Sequence, residues 1–246
     1  MTAPVQTGTG TRLRRAAAGP ASFLRATLAI AAKDLRSEFR TKEALNASLA
    51  FSVVILLLFS FAFDPTVEQT RALAGGLLWL VFAFAGALIL NRSFARELPN
   101  DCLDALVASP VPAPALYLGK TLGNWVLLML VELASLAVFG IFYNAAWTRR
   151  LGALVGVVAL GTWALSVVGT LFSALTVNLR LRELMLPLLV YPVLIPVLLG
   201  AIQLSGPLAM GEPLAEEAGA WLRLLVGFDV IFTALALALS ESALVG

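Results

Sequence analysis

Charged residues divide the chain into apolar stretches that are long enough to cross a membrane. Residues 44–63 and 72–91 each run for 20 residues without a charge, and residues 151–179 and 184–210 are also uncharged. About 20 apolar residues in a helix span a bilayer core of about 30 Å. We therefore predict six spanning helices, near 44–63, 72–91, 122–142, 153–178, 184–204 and 222–240.

The composition supports a membrane-embedded fold built from helices. The 246 residues are 60% apolar and 13% charged, whereas an ordinary soluble domain is about 45–50% apolar and about 25% charged. No stretch alternates in the manner of a strand, and an open sheet cannot expose its edges to lipid. The sequence thus predicts an all-α integral membrane protein in which residues 44–246 form the six-helix domain.

Basic residues are unevenly distributed between the two sides of the predicted bundle. If the N-terminus lies inside, 13 lysines and arginines face the cytoplasm and four face the other side. Cytoplasmic loops of membrane proteins are the ones enriched in Lys and Arg. We therefore predict that both termini are cytoplasmic.

The segment before the first spanning helix has two parts. Residues 1–20 are small, basic and rich in Thr, Ala, Gly and Pro, and they lack the apolar core of a signal peptide, which predicts a disordered extension. In residues 21–43, five apolar positions form one helical stripe: Leu24, Leu28, Ala31, Leu35 and Phe39. Charged residues occupy the other faces: Lys33, Asp34, Arg36 and Glu38 among them. This pattern predicts an amphipathic helix in the cytoplasmic interface, with a plain soluble lead-in helix as the alternative.

Several kinds of chemistry are absent from the sequence. The chain has no histidine and a single cysteine, Cys102, which removes Ser-His-Asp triads, the commonest haem ligand and any internal disulfide. We predict no catalytic and no metal-binding residue, and the net charge of +2 does not suggest a nucleic-acid partner. The string at 118–121, Leu-Gly-Lys-Thr, resembles part of a phosphate-binding loop, but Pro114 stands where that loop needs a glycine. Any ATP used by the protein is therefore expected on another chain.

Two acidic residues fall inside predicted spanning helices. Glu132 lies near the middle of the third, where an unpaired carboxylate costs a few kcal/mol. It either faces a cavity or partner helix, or is a protonated structural group bonded to a neighbour. Asp229 lies in the sixth helix and is more typical of helix packing or of an interface than of catalysis.

The segment 92–121 is the longest predicted cytoplasmic loop. Leu103, Leu106 and Val107 have helical spacing, and Ser109-Pro110 is a natural end for a short helix. Such a helix is too short to span a membrane but could dock into a groove of another protein; the alternative is a plain connecting loop. The candidate docking residues share this segment: Glu97, Asp101, Leu103, Asp104, Leu106, Ser109 and Pro110.

The same segment carries a family resemblance. Residues 97–144 contain an acidic stretch, then Cys102-Leu103 with Leu106, a Ser109-Pro110-Val111 turn, Tyr-Leu-Gly-Lys at 117–120, and Val-Glu-Leu at 131–133. This order resembles the CcmB-type haem exporter permeases of the wider ABC-2 class. Residues 33–38 and 42–46 are similar to the family's opening, and residues 228–232 to its last helix.

The resemblance implies a function and a set of partners. It implies a permease subunit of an ABC transporter for cytochrome c maturation, in the bacterial inner membrane. ATP would be hydrolysed by a CcmA-type ATPase subunit on the cytoplasmic face, and haem would be handled by partner membrane proteins. Because residues 97–110 are predicted to be cytoplasmic, helical and bounded by prolines, we predict that they form the helix that contacts this ATPase. The chain itself would bind no cofactor, would sit in the lipid bilayer and would act as a homodimer. The alternatives are an ABC-2 permease for another substrate, such as a lipid-linked sugar or a drug, and an ATP-independent channel or scaffold.

Overall fold

Seven long helices make up the part of the chain that the structure describes. The computed structural model describes residues 20–63, 72–97, 111–177, 179 and 181–245. The helices are α1 (Pro20–Thr41), α2 (Glu43–Ala62), α3 (Ala74–Leu90), α4 (Ala113–Phe142), α5 (Leu151–Thr176), α6 (Arg182–Ala209) and α7 (Ala218–Val245). Two short 3-10 turns, Ala95–Glu97 and Trp147–Arg150, follow α3 and precede α5.

The six helices α2 to α7 are each long and apolar enough to cross a membrane. The described residues contain no strand. The predicted all-α fold with six spanning helices is therefore confirmed, and five of the six predicted starts lie within four residues of the observed ones. Which face of the bundle meets the cytoplasm stays a prediction.

The start of the third spanning helix is a correction. We placed it at 122, but α4 begins at Ala113, because Pro112 precedes its first turn and Pro114 lies within that turn. A proline there costs no hydrogen bond, since the first turn of a helix has no partner for its N–H groups. The charge of Lys120 had set the predicted boundary, yet Lys120 lies inside α4 and is buried.

Polar side chains join the spanning helices to one another inside an otherwise apolar core. The indole of Trp79 in α3 donates to the hydroxyl of Ser205 in α6 at 2.9 Å, and Ser173 in α5 donates to the Leu90 carbonyl at 2.8 Å. Tyr191 in α6 donates to the carbonyl of Ala83 at 2.6 Å. Such hydrogen bonds stabilise helix contacts in a membrane, because the hydrophobic effect contributes little there: lipid tails are as apolar as the side chains that pack together.

The N-terminal helix α1 packs along the beginning of α4. Its apolar residues Leu24, Leu28 and Phe39 are exposed, while Thr27 and Ile30 are buried against the bundle. One left-handed residue, Lys42 with φ 55°, turns the chain from α1 into α2. The observed helix agrees with the predicted one at 21–43 to within two residues. Its position in the membrane interface remains a prediction, and the predicted disordered extension lies outside the described residues apart from Pro20.

The close contact between α1 and α4 depends on a glycine. A Cβ atom at Gly119 would lie 2.7 Å from the carbonyl oxygen of Thr27 and 2.8 Å from Cβ of Ile30. These distances are well inside van der Waals contact, so the two helices can approach this closely only because position 119 has no side chain.

We expect Gly119→Ala to destabilise the protein by about 1–3 kcal/mol, because overpacking forces backbones apart. Gly123→Ala is the matched control, since it lies one turn further along α4 and its Cβ would meet Asp34 Cβ at an ordinary 3.6 Å. The measurement is the free energy of unfolding of each purified variant in one detergent, by circular dichroism. Equal values for the two variants would contradict the close contact.

Candidate functional site

A buried ammonium group lies at the centre of the polar end of the bundle. The side chain of Lys120 in α4 is 1% exposed and lies 2.9 Å from Glu97 Oε1 and 3.2 Å from Asp34 Oδ2. It also donates to the Ser93 carbonyl at 3.0 Å and lies 4.7 Å from the centre of the Phe94 ring. A buried cation is tolerated only when its charge and its N–H groups are matched in this way.

Lys33 of α1 binds the same carboxylates from the outer side. Its ammonium group lies 2.5 Å from Glu97 Oε1 and 3.2 Å from Asp34 Oδ1. Burial by itself would lower the pKa of Lys33, but the hydrogen bond to Glu97 and the charges of Asp34 and Glu97 outweigh it and raise the pKa above its ordinary value of 10.5. Lys33 therefore remains a cation at neutral pH, and Glu97 accepts hydrogen bonds from two lysines. We call Lys33, Asp34, Glu97 and Lys120 the ion-pair cluster.

A second buried carboxylate fixes the corner between α1 and α2. Glu38 is fully buried and pairs with the guanidinium of Arg96, next to the ion-pair cluster. Its other oxygen, Oε1, accepts the backbone N–H of Leu45 at 2.9 Å. That N–H belongs to the first turn of α2, where backbone donors have no partner within the helix. One side chain thus joins α1, the start of α2 and the segment that follows α3.

A cavity of about 250 Å³ adjoins the ion-pair cluster. It is lined by residues of α1, of the segment after α3 and of α4, among them Ser93, Arg96 and Asn124. Both signs of charge face it, because Lys33 and Asp34 also belong to its wall. Asn124 links this wall to α5, since its amide donates to Ser93 Oγ and to Thr170 Oγ1, at 2.9 Å each.

The two intramembrane acids lie away from the ion-pair cluster. Glu132 is fully buried in α4, twelve residues beyond Lys120, and is hydrogen-bonded through Oε2 to Thr162 of α5. Twelve helical residues correspond to about 18 Å. Asp229 in α7 is 7% exposed, and both of its carboxylate oxygens lack a partner among the described residues.

The structure brings some of the predicted site residues together and leaves others outside. Glu97 of the predicted docking segment and Lys33, Asp34 and Glu38 of the predicted interfacial helix meet at this end of the bundle, whereas Arg36 is exposed. The remaining predicted docking residues lie outside the described part of the chain: Asp101, Leu103, Asp104, Leu106, Ser109 and Pro110. Their role stays a prediction.

Sequence reasoning missed Lys120, Arg96 and Ser93 as site residues. Lys120 carried a usable signal, because it is the first cation in an otherwise apolar run and needs an anion from elsewhere in the chain. The sequence does not show which anion answers it, since Asp34 is 86 residues away.

Six helices that are long and apolar enough to cross a membrane, with a buried ion-pair cluster at one end, define a multi-pass helical membrane protein. The chain belongs to the CcmB family: the family described as "CcmB protein" matches residues 25–245. The resemblance found in the sequence is thereby confirmed, and the chain is a multi-pass protein of the bacterial inner membrane.

Curated relatives agree with this assignment. The "Heme exporter protein B" of Rhodobacter capsulatus is 34% identical over 195 residues, which cover 78% of this chain and 89% of the relative. The protein of the same name from Pseudomonas aeruginosa is 32% identical, over 71% of this chain and 79% of the relative. That of Escherichia coli K12 is 28% identical, over 73% and 81% respectively.

We expect Lys120→Met to destabilise the protein by about 3–5 kcal/mol, because removing one partner of a buried ion pair leaves carboxylates without their counter-charge. Arg92→Gln is the control: Arg92 pairs with Glu43 at 2.6 Å, but both side chains are largely exposed, at 44% and 68%. An exposed pair contributes about 1 kcal/mol or less. The free energy of unfolding in detergent distinguishes the two variants, and a loss in Arg92→Gln as large as in Lys120→Met would contradict a special role for the buried lysine.

Proposed function

We propose that this member of the CcmB family is the permease subunit of an ABC transporter that exports haem for cytochrome c maturation. The family match over residues 25–245, together with relatives named "Heme exporter protein B", is the observation that carries the proposal. This favours haem export over the export of a lipid-linked sugar or a drug.

A separate CcmA-type ATPase subunit powers the permease in this proposal. The string at 118–121 lies in the helix α4, where Gly119 packs against α1, so these residues do not have the form of a phosphate-binding loop. The chain acts as a transporter subunit, and its partner hydrolyses ATP.

The ion-pair cluster supports the placement of the ATPase contact at 97–110. Glu97 is the last described residue before the segment 98–110, and it forms ion pairs with Lys33 and Lys120. The chain returns at residue 111 and enters α4 two residues later. A partner that moves this segment would therefore move Glu97, and the ion pair between Glu97 and Lys120 would transmit this movement to α4.

Haem itself is handled by partner membrane proteins of the assembly system. The chain has no histidine, which is the commonest protein ligand of haem iron. The permease therefore binds no cofactor of its own in this proposal.

A second copy of the chain completes the transporter. One chain supplies six spanning helices, and two copies supply twelve. The helix α7 is the least enclosed of the six, with apolar side chains such as Val230 and Ile231 exposed to lipid or to a neighbour.

The test uses a bacterial host from which its own copy of this permease has been deleted. We expect the wild-type chain to restore the yield of haem-loaded cytochrome c and to co-purify with the ATPase subunit. Reversing Asp101 and Asp104 to lysine should abolish ATPase recovery and cytochrome c yield, while membrane abundance stays normal, because these acids lie in the predicted contact segment.

The matched control reverses two exposed acids, Glu216 and Glu217, in the segment between α6 and α7. This double variant should retain both the recovery of the ATPase subunit and the yield of haem-loaded cytochrome c. Normal ATPase recovery with the Asp101 and Asp104 variant would disprove the contact. A normal cytochrome c yield in the deleted host without any copy of the chain would disprove the function, and leave a scaffold or another substrate.

A further inference from the structure

Polar side chains continue from the cavity into the bundle along the contact between α4 and α5. Asn124 belongs to the cavity wall and donates to Thr170 Oγ1 of α5 at 2.9 Å. Eight residues further along α4, Glu132 is hydrogen-bonded to Thr162, which lies eight residues before Thr170. The two contacts are therefore in register on two antiparallel helices.

Ser166 occupies the position midway between these two contacts. It lies one turn from Thr162 and one turn from Thr170, on the same face of α5. The register places it level with Leu128 of α4. Ser166 is fully buried, and its hydroxyl has no partner among the described residues. A buried hydroxyl without a partner destabilises the fold unless a water molecule forms a hydrogen bond with it.

The geometry at Thr162 favours a protonated Glu132. The hydroxyl of Thr162 has one hydrogen and two bonded neighbours, the Val158 carbonyl at 2.7 Å and Glu132 Oε2. A carbonyl can only accept a hydrogen bond. A hydroxyl with one hydrogen donates fully to only one of these two acceptors, so a protonated Glu132 that donates to Thr162 would satisfy both contacts. The second oxygen, Oε1, is buried and has no partner among the described residues.

We propose that Asn124, Thr170, Ser166, Thr162 and Glu132 form a hydrated polar track through which Glu132 exchanges its proton with the cavity. One helical turn separates successive hydroxyls of α5, with about 5–6 Å between their Cβ atoms, and a bridging water with two hydrogen bonds of about 2.8 Å covers this interval. Such waters form hydrogen bonds with the two unpartnered atoms, Ser166 Oγ and Glu132 Oε1.

The exchange is balanced without any further reactant. Glu132 releases its proton to the adjacent water, each bridging molecule passes one proton on, and a proton from the cavity water returns by the same route. The permease thereby binds and releases a proton at Glu132, which the track connects to the cavity beside the ion-pair cluster. This proposal does not depend on haem export, because it concerns only the described contacts of α4 and α5.

The test measures hydrogen–deuterium exchange at the Glu132 carboxyl group. The full chain in lipid nanodiscs is transferred into D₂O, and the carboxyl C=O band is followed by infrared spectroscopy. Glu132→Gln assigns the band by its disappearance. We expect Ser166→Ala to slow the exchange about tenfold, since one hydrogen-bonding position is lost. Leu128→Ser should accelerate it, because it adds a hydroxyl at the one apolar level of the track.

Two controls separate the track from general changes in the fold. Ser135 is buried in α4, the helix that carries Glu132, and donates to the Val131 carbonyl at 2.7 Å. Ser135→Ala therefore makes the same substitution outside the track, and it should leave the exchange rate of Glu132 unchanged. The Asp229 band, assigned with Asp229→Asn, should keep its rate in every variant.

Three results would overturn the proposal. The first is an unchanged rate in Ser166→Ala, or an equal slowing in Ser135→Ala. The second is a rate in Leu128→Ser that is no faster than wild type, which decides the matter even if Ser166→Ala does not fold. The third is a spectrum in which Glu132→Gln removes no carboxyl C=O band, since Glu132 would then be ionised.

Discussion

The buried ammonium group of Lys120 is the constraint on which this end of the molecule depends. A cation that is 1% exposed needs anions and acceptors at hydrogen-bond distance, and here they come from Asp34 on α1 and from Glu97 and Ser93 after α3. These partners are far apart in sequence, so satisfying one charge draws three parts of the chain together. Lys33 completes the arrangement from the outside, so that α1 and Glu97, the last described residue before the segment 98–110, are held by the same side chains.

Packing and charge act together along α4. Because Gly119 has no side chain, α1 approaches α4 so closely that the Thr27 carbonyl lies where a Cβ atom would otherwise be. This close approach brings Asp34 of α1 within hydrogen-bond distance of the next residue, Lys120. One turn later Asn124 connects the same end to α5, and Glu132 lies in the interior beyond it. A single helix thus connects the ion-pair cluster to the contact between Glu132 and Thr162 of α5.

The sequence predicts the spanning helices well, because apolar length and charge spacing are local properties. It places Glu132 inside a spanning helix correctly for the same reason. It misplaces the start of α4, because the rule that charges end a span takes no account of a counter-ion 86 residues away. The sequence also does not predict the contacts of Glu38 with Arg96 and of Glu132 with Thr162. Each of these contacts depends on how the helices pack together and not on the composition of either helix.

In the proposed transporter, the ion-pair cluster lies at the cytoplasmic face, where the ATPase subunit acts. The most direct test replaces Cys102 by serine and introduces one exposed cysteine at a time: Thr41→Cys beside the cluster, or Glu216→Cys at the other end of the bundle. A membrane-impermeant maleimide should label Thr41→Cys only in inside-out vesicles and Glu216→Cys only in right-side-out spheroplasts. The reverse pattern would place the cluster outside the cell and contradict the account.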